Sequence, residues 1–202
     1  MIPVTQLAQQ CAPFVAPTTM AAIVHVESGG NPLAMWNNTT NQRVLPNSLA
    51  QAQAYLARAM AAGQQVDVGI AQVDTENFPA YGMNINNVFD ACTNLRVGAK
   101  ILEAAYRQAV AHFGPGQTAL FHAFEAYNSG RLWGDSSYAN KILAAAGIPV
   151  MVQGAGGLVY HPVRHFHNPF TVYWTAPKKG AAPIRVDTHY RQPSLSGTIL
   201  WK

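Results

Sequence analysis

Glu27 is the residue whose type and position point most directly to chemistry. Met20, Ile23, Val24 and Glu27 recur at i, i+3, i+4 and i+7, so a carboxyl group sits where the apolar stripe of a helix asks for a hydrophobic side chain. Gly29-Gly30 must end that helix, which leaves Glu27 in its last turn, at the negative end of the helix dipole. Desolvation and the dipole both raise a carboxyl pKa. A carboxylic acid that keeps its proton near neutral pH is suited to general acid catalysis. The competing reading is a glutamate paired with arginine or frayed into solvent.

A second carboxylate is harder to find, although most glycosidases need two at a set separation. Asp67 and Asp74 flank Gly69-Ile70-Ala71-Gln72, and Asp74 or Glu76 could be proposed as a partner, but turns and helix caps are their simpler role. Glu125, beside Tyr127, is the better rival; its place among Phe121 and Phe124 equally suits a buried, hydrogen-bonded structural acid. The flat rings of Trp36, Tyr81 and Trp133 match the apolar faces of pyranoses, and ordinary packing explains each as well. Tyr81 and Trp133 are candidates for binding a sugar face. His161, His165 and His167 have no carboxylate or cysteine among them, so neither a metal site nor a cofactor is expected.

The elements that must position these groups are mostly helices. Leu7, Ala8, Cys11 and Phe14 predict a first helix within Thr5 to Val15, and Pro17 with Thr18 or Thr19 marks the break and new N-cap before the Glu27 helix. The Asn/Thr-rich stretch from Asn37 to Asn47 reads as a surface loop. Ser48 caps a helix running to about Ala62, with Gly63 as its stop. Val66 to Val73 alternates weakly around Gly69 and predicts a short strand or hairpin. Asp90 to His112 is the clearest helix, with Leu95, Gly98, Ile101, Leu102, Ala105 and Ala109 at helical spacing. Pro115 is expected in the first turn of the next helix, which ends at Asn128-Ser129-Gly130; Asp135 caps a last one ending near Ala146-Gly147.

After Pro149 the texture changes to a Gly-rich linker and then to Pro, His, aromatic and basic residues without helical period. The expected division is a catalytic domain over 1–149 and an irregular tail over 150–202, in which Phe170, Val172 and Trp174 could form one strand. The 202-residue chain carries a net charge of +4, unevenly placed: residues 1–150 hold seven Lys/Arg against eight Asp/Glu, and the remainder six against one. The tail could therefore bind a partner or an anionic polymer. No nucleic-acid module is recognisable. No apolar run reaches the roughly 20 residues that span a bilayer, and Met1-Ile2-Pro3-Val4 lacks the basic and apolar parts of a secretory leader. Cys11 and Cys92 lie too far apart for a CxxC site, which leaves either one disulfide between two helices or two buried thiols.

Three ordered stretches, Glu27-Ser28-Gly29-Gly30-Asn31-Pro32, Gly69-Ile70-Ala71-Gln72 and Ala126-Tyr127-Asn128-Ser129-Gly130, resemble the motifs of soluble lytic transglycosylases. Phe89 to Ala99 resembles the helix that follows the second motif, and the similarity covers roughly residues 5–148. Within that family the chain most resembles the transglycosylase subunits of type IV secretion systems, a branch that paired Cys11 and Cys92 also fit; phage tails carry related enzymes. The resemblance implies a mainly α, goose-lysozyme-like domain with a small β element at a glycan-binding cleft. It implies peptidoglycan strands as substrate, secretion-system subunits as partners of the tail, and a periplasmic or cell-wall-facing setting, or a virion. It assigns Glu27 as acid and then base, with the substrate's own C6 hydroxyl as nucleophile. Ser28, Gly69, Gln72, Tyr127 and Asn128 are the supporting residues: Gly69 would let the backbone approach a sugar, Tyr127 would hold the Glu27 carboxyl, and Gln72 would meet an N-acetyl group or the cleft wall. Ala71 stands where many relatives carry methionine.

Overall fold

A computed structural model describes residues 1–153 of the chain. Its longest helix, α5 (Ala91–Phe113), starts where Asp90 accepts a hydrogen bond from the Thr93 N–H at 2.7 Å. Both sides of α5 are apolar, and it stands between two cores. Leu95 and Leu102 pack with Met20, Ile23 and Val24 of α2 (Pro17–Glu27), with Leu120 and Phe124 of α6 (Gln117–Ser129) and with Ile142 of α7 (Ser136–Ala145). Val97 and Ile101 face a smaller core, which also buries Leu56 of α3 (Leu49–Ala61) and Phe78 of α4 (Phe78–Tyr81).

The smaller core is closed by an antiparallel sheet of four short strands in the order β2-β1-β3-β4. They are β1 (Met35–Asn37), β2 (Gln42–Val44), β3 (Val66–Val68) and β4 (Val73–Asp74). Met35, Val66, Val68 and Val73 turn inward, so the residues between them face the other way. The stretch expected as a loop from Asn37 to Asn47 therefore contains half of a hairpin. Its turn uses Asn41 at a φ of 54°, one of the few side chains that tolerate the left-handed region.

The remaining elements lie close to the expected ones. Helix α1 (Val4–Cys11) stops earlier than its apolar spacing suggests, because Pro13 cannot continue a helix. Neither Thr18 nor Thr19 caps α2; Ala16 takes that place and Pro17 occupies the first turn. Pro115 lies outside α6, which opens after Gly116. Ser48 and Asp135 cap α3 and α7, accepting from the Gln51 and Tyr138 N–H groups at 3.3 Å each.

Two covalent and backbone ties close the body. Cys11 and Cys92 form a disulfide between the end of α1 and the start of α5, and Arg96 donates to the Cys11 carbonyl at 3.2 Å beside it. Residues 150–153 then run against the N-terminus: Val4 N–H meets the Val150 carbonyl and Val152 N–H meets the Ile2 carbonyl, both at 2.9 Å, while Gln153 N–H reaches the Gly30 carbonyl at 2.8 Å. Gly30 must be glycine, since a Cβ there would stand 2.1 Å from the Met151 carbonyl oxygen. The possible strand at Phe170 to Trp174 and the histidines of the tail lie outside the described residues.

Candidate active site

Helix α2 delivers Glu27 into a cleft of about 590 Å³ between the sheet and the end of α6. Ser28 fixes the delivery: its buried hydroxyl donates to the Ile70 carbonyl at 2.7 Å and accepts from the Gly30 N–H at 3.2 Å, joining the end of α2 to the loop after β3. The Glu27 carboxyl is pushed up to about 7. Withdrawal from bulk water is the main cause, a hydrogen bond from Tyr138 works against it, and the nearby Asp67 charge adds to it. The proton affinity expected from the sequence is thus present, and its first cause is the expected one.

The loop after β3 forms the wall beside Glu27. Asn94, fully buried on α5, donates to the Val68 and Val88 carbonyls at 2.8 and 3.0 Å and accepts from the Ala71 N–H at 2.8 Å. Gly69 has a φ of +86°, and a Cβ there would lie 2.4 Å from the Asn94 amide. The contact with Asn94 and the positive φ are each a reason for glycine at this position. Gln72 donates both amide hydrogens to the wall, to the carbonyls of Ala34 at 2.9 Å and Gly69 at 2.7 Å, so its amide oxygen is the atom left for the cleft.

Two tyrosines divide a role expected of one. Tyr127 donates to the Ala71 carbonyl at 2.8 Å, bracing the loop, and it has room because Gly98 carries no Cβ. The hydroxyl that holds the Glu27 carboxyl belongs to Tyr138 of α7. Burial first, and then the Glu27 charge, raises both phenols well above their ordinary range, so each remains a donor. Asn128 lines the cleft and donates to Asp135 at 2.6 Å, tying the third motif to the N-terminus of α7.

The sheet contributes acids that sequence reasoning had assigned to turns. Asp74 does cap the short 3₁₀ turn Thr75–Asn77, accepting from the Glu76 N–H at 2.7 Å, yet it also lines the cleft. Asp67 lies directly across from it in the β3–β4 register and faces the same space. Burial, then the Asp74 charge, pushes Asp67 up to about 7, with a hydrogen bond from Asn38 opposing; Asp74 is raised as well, chiefly by burial. Trp36 and Arg43 also line the cleft on this side. The alternation Val66-Asp67-Val68 was the available signal: an acid between two buried valines points away from the core.

The weaker candidates lie elsewhere. Glu125 is buried, 2.6 Å from His122 Nδ1, and accepts from the Asp135 N–H at 3.1 Å, which is the structural role considered for it. Tyr81 packs on the smaller core, and Trp133 contacts His112, Phe113 and His122; neither lines the cleft.

A helical body, a small sheet forming one wall of a polar cleft, and a carboxyl that titrates near neutrality together define a lysozyme-like glycan-cleaving domain. Residues 6–141 match the transglycosylase SLT domain, and the chain belongs to that family. It is 42% identical over 165 residues, 75% of this chain and 68% of the relative, to the type IV secretion system protein virB1 of Brucella abortus biovar 1 (strain 9-941). Protein virB1 of Agrobacterium fabrum is 37% identical over 123 residues, 61% of this chain and 50% of that protein. Protein virB1 of Rhizobium radiobacter is 32% identical over 151 residues, 73% and 63% of the respective chains. No solved structure matches the chain significantly.

Proposed function

We propose that this lytic transglycosylase cleaves the bond between N-acetylmuramic acid and N-acetylglucosamine in peptidoglycan with Glu27 as its single acid and base, opening the wall locally for a type IV secretion system. The observation that carries the reading is the Glu27 carboxyl, raised to about 7 in the cleft. Near neutral pH such a group is available in both protonation states, as a two-stage role requires. Glu27 gives its proton to the glycosidic oxygen as the bond from that oxygen to the muramoyl C1 breaks. The resulting carboxylate takes the proton of the muramoyl C6 hydroxyl, whose oxygen bonds to C1 and closes a 1,6-anhydro ring. Glu27 ends protonated, and no water is consumed. Tyr138 orients the carboxyl, while Ser28, Gln72 and the Asn94-braced loop hold the wall around it.

The secretion setting is supported by the names of the virB1 relatives, and it implies action on the periplasmic, wall-facing side. In this reading the basic segment over 150–202 engages secretion-system subunits.

Replacing Glu27 with Gln keeps the shape and removes the acid. Cleavage of purified peptidoglycan is expected to fall by about 10²- to 10⁴-fold. Mass spectrometry of the wild-type digest should show anhydro ends; products heavier by one water would overturn the mechanism. One observation favours that hydrolytic alternative: Asp67 supplies a second carboxyl in the cleft, where a water could be held.

A further inference from the structure

Four residues form a single transverse row on the cleft face of the sheet. Arg43 of β2 pairs with Trp36 of β1, Trp36 pairs with Asp67 of β3, and Asp67 pairs with Asp74 of β4. Residues paired in this way share a face, and all four line the cleft. The row runs from a cation on one edge strand, across an indole ring, to two acids, of which Asp67 acts on Glu27.

The acidic end is satisfied within the protein. Asn38 Nδ2 lies 3.0 Å from Asp67 and 3.5 Å from Asp74, and the two raised carboxyl groups face each other across the register. The cationic end has no carboxylate partner among the described residues: Asp67 is engaged by Asn38 and faces Asp74 instead, and Arg43 has no ion pair. It is the only Lys or Arg lining the described cleft, whose other ionisable groups are Glu27, Asp67, Asp74, Glu76 and Tyr127. A guanidinium presents a planar fork of donors that fits a carboxylate in a bidentate manner. Beside it, Trp36 is 36% exposed and its ring offers a flat apolar face of the kind that stacks on a pyranose.

We propose that Arg43 and Trp36 form a specificity subsite, in which the indole takes a sugar face and the guanidinium takes a carboxylate carried by a muramoyl substituent, that of the peptide stem. The inference rests on the peptidoglycan reading above and narrows it to peptide-bearing strands. It gives the edge strand a function: the carboxylate is engaged away from the reacting bond and sets which stretch of the strand lies over Glu27. Without that cation, the acids of the cleft would disfavour an anionic substrate.

The test compares three glycan-strand preparations: intact peptide-bearing strands, the same strands with their carboxylates converted to amides, and amidase-stripped strands that keep only the lactyl carboxylate. Binding is measured with the full chain carrying Glu27→Gln, so that nothing is cleaved, and product formation with the active chain. Intact strands are expected to bind about tenfold tighter than amidated ones. Adding Arg43→Ala should collapse that ratio to about one, and Arg43→Lys, which keeps charge but loses the fork, should leave an intermediate value. Trp36→Ala should weaken all three preparations alike. A ratio that Arg43→Ala leaves unchanged overturns the subsite, as does equal binding of intact and amidated strands. Stripped strands that bind as tightly as intact ones would overturn the stem and assign the contact to the lactyl group. Failure of the functional reading looks different: the active chain would then yield no anhydro ends from any preparation, whatever the binding ratio.

Discussion

Tyr138 donates its hydroxyl hydrogen to the Glu27 carboxyl across 111 positions of sequence, so α7 holds the end of α2. That bond lowers the proton affinity of Glu27 against the larger effect of burial. Tyr138→Phe keeps the buried ring and removes the bond. The Glu27 pKa should rise further, moving the alkaline limb of the pH profile of kcat/KM upward, and kcat should fall about tenfold through lost orientation. Loss of one such bond costs stability of about 1–3 kcal/mol, which thermal unfolding would register. An unmoved pH profile would separate Tyr138 from the catalytic group.

Stability should decline as pH rises toward neutrality. Glu27 and Asp67 titrate at about 7 in the folded chain, against ordinary values of 4.5 and 3.8. A carboxyl raised on folding contributes stability that is complete below its unfolded pKa and is lost as pH climbs through the folded one. The window is therefore about pH 4 to 7, and the loss attributable to Glu27 is about 3 kcal/mol. Denaturant unfolding at pH 4.5 and 7.5 measures it. Glu27→Gln, which cannot ionise, should flatten part of this slope and raise the melting temperature at pH 7.5 while removing most of the activity.

Gly69→Ala should damage both fold and function. The new methyl would meet Asn94 at 2.4 Å in a backbone conformation that disfavours side chains, and Asn94 anchors the Val68 and Ala71 backbone of the cleft wall. A cost of about 2–3 kcal/mol is expected, together with reduced kcat. Gly82→Ala provides the comparison, because its φ is also positive, at +64°, while nothing lies within 4 Å of the added Cβ. It should cost only about 1 kcal/mol and leave kcat unchanged.

Removing the disulfide should loosen the body without dismantling the site chemistry. The Cys11–Cys92 bond spans 81 positions. On the chain-entropy model it contributes about 4 kcal/mol. Replacing both cysteines with alanine should lower the unfolding free energy by about 2–4 kcal/mol, and reductant should then have no further effect on the denaturation midpoint, in contrast to its effect on the parent chain.

Features set by local chemistry were legible in the sequence. Ser48, Asp90 and Asp135 announce helix starts because a cap acts within three residues of itself. The Glu27 environment was legible because a carboxyl on an apolar stripe is anomalous whatever surrounds it. Features set by pairing were not legible. Tyr138 sits on a helix whose approach to Glu27 is decided by packing, and Tyr127, nearer to a recognisable motif, attracted the role instead. The β1–β2 hairpin escaped because three-residue strands joined by Asn and Thr carry too little periodicity to distinguish them from a loop. Without β1 and β2 there is no register that brings Arg43 and Trp36 into one row with Asp67 and Asp74.

The seam between residues 2–4 and 150–153 gives the protein a mechanical geography. The backbone and side-chain amides of Gln153 grip the carbonyls of Gly30 and Gly29, the turn immediately behind Glu27. A displacement of residues 150–153 is thus delivered first to the floor under the acid.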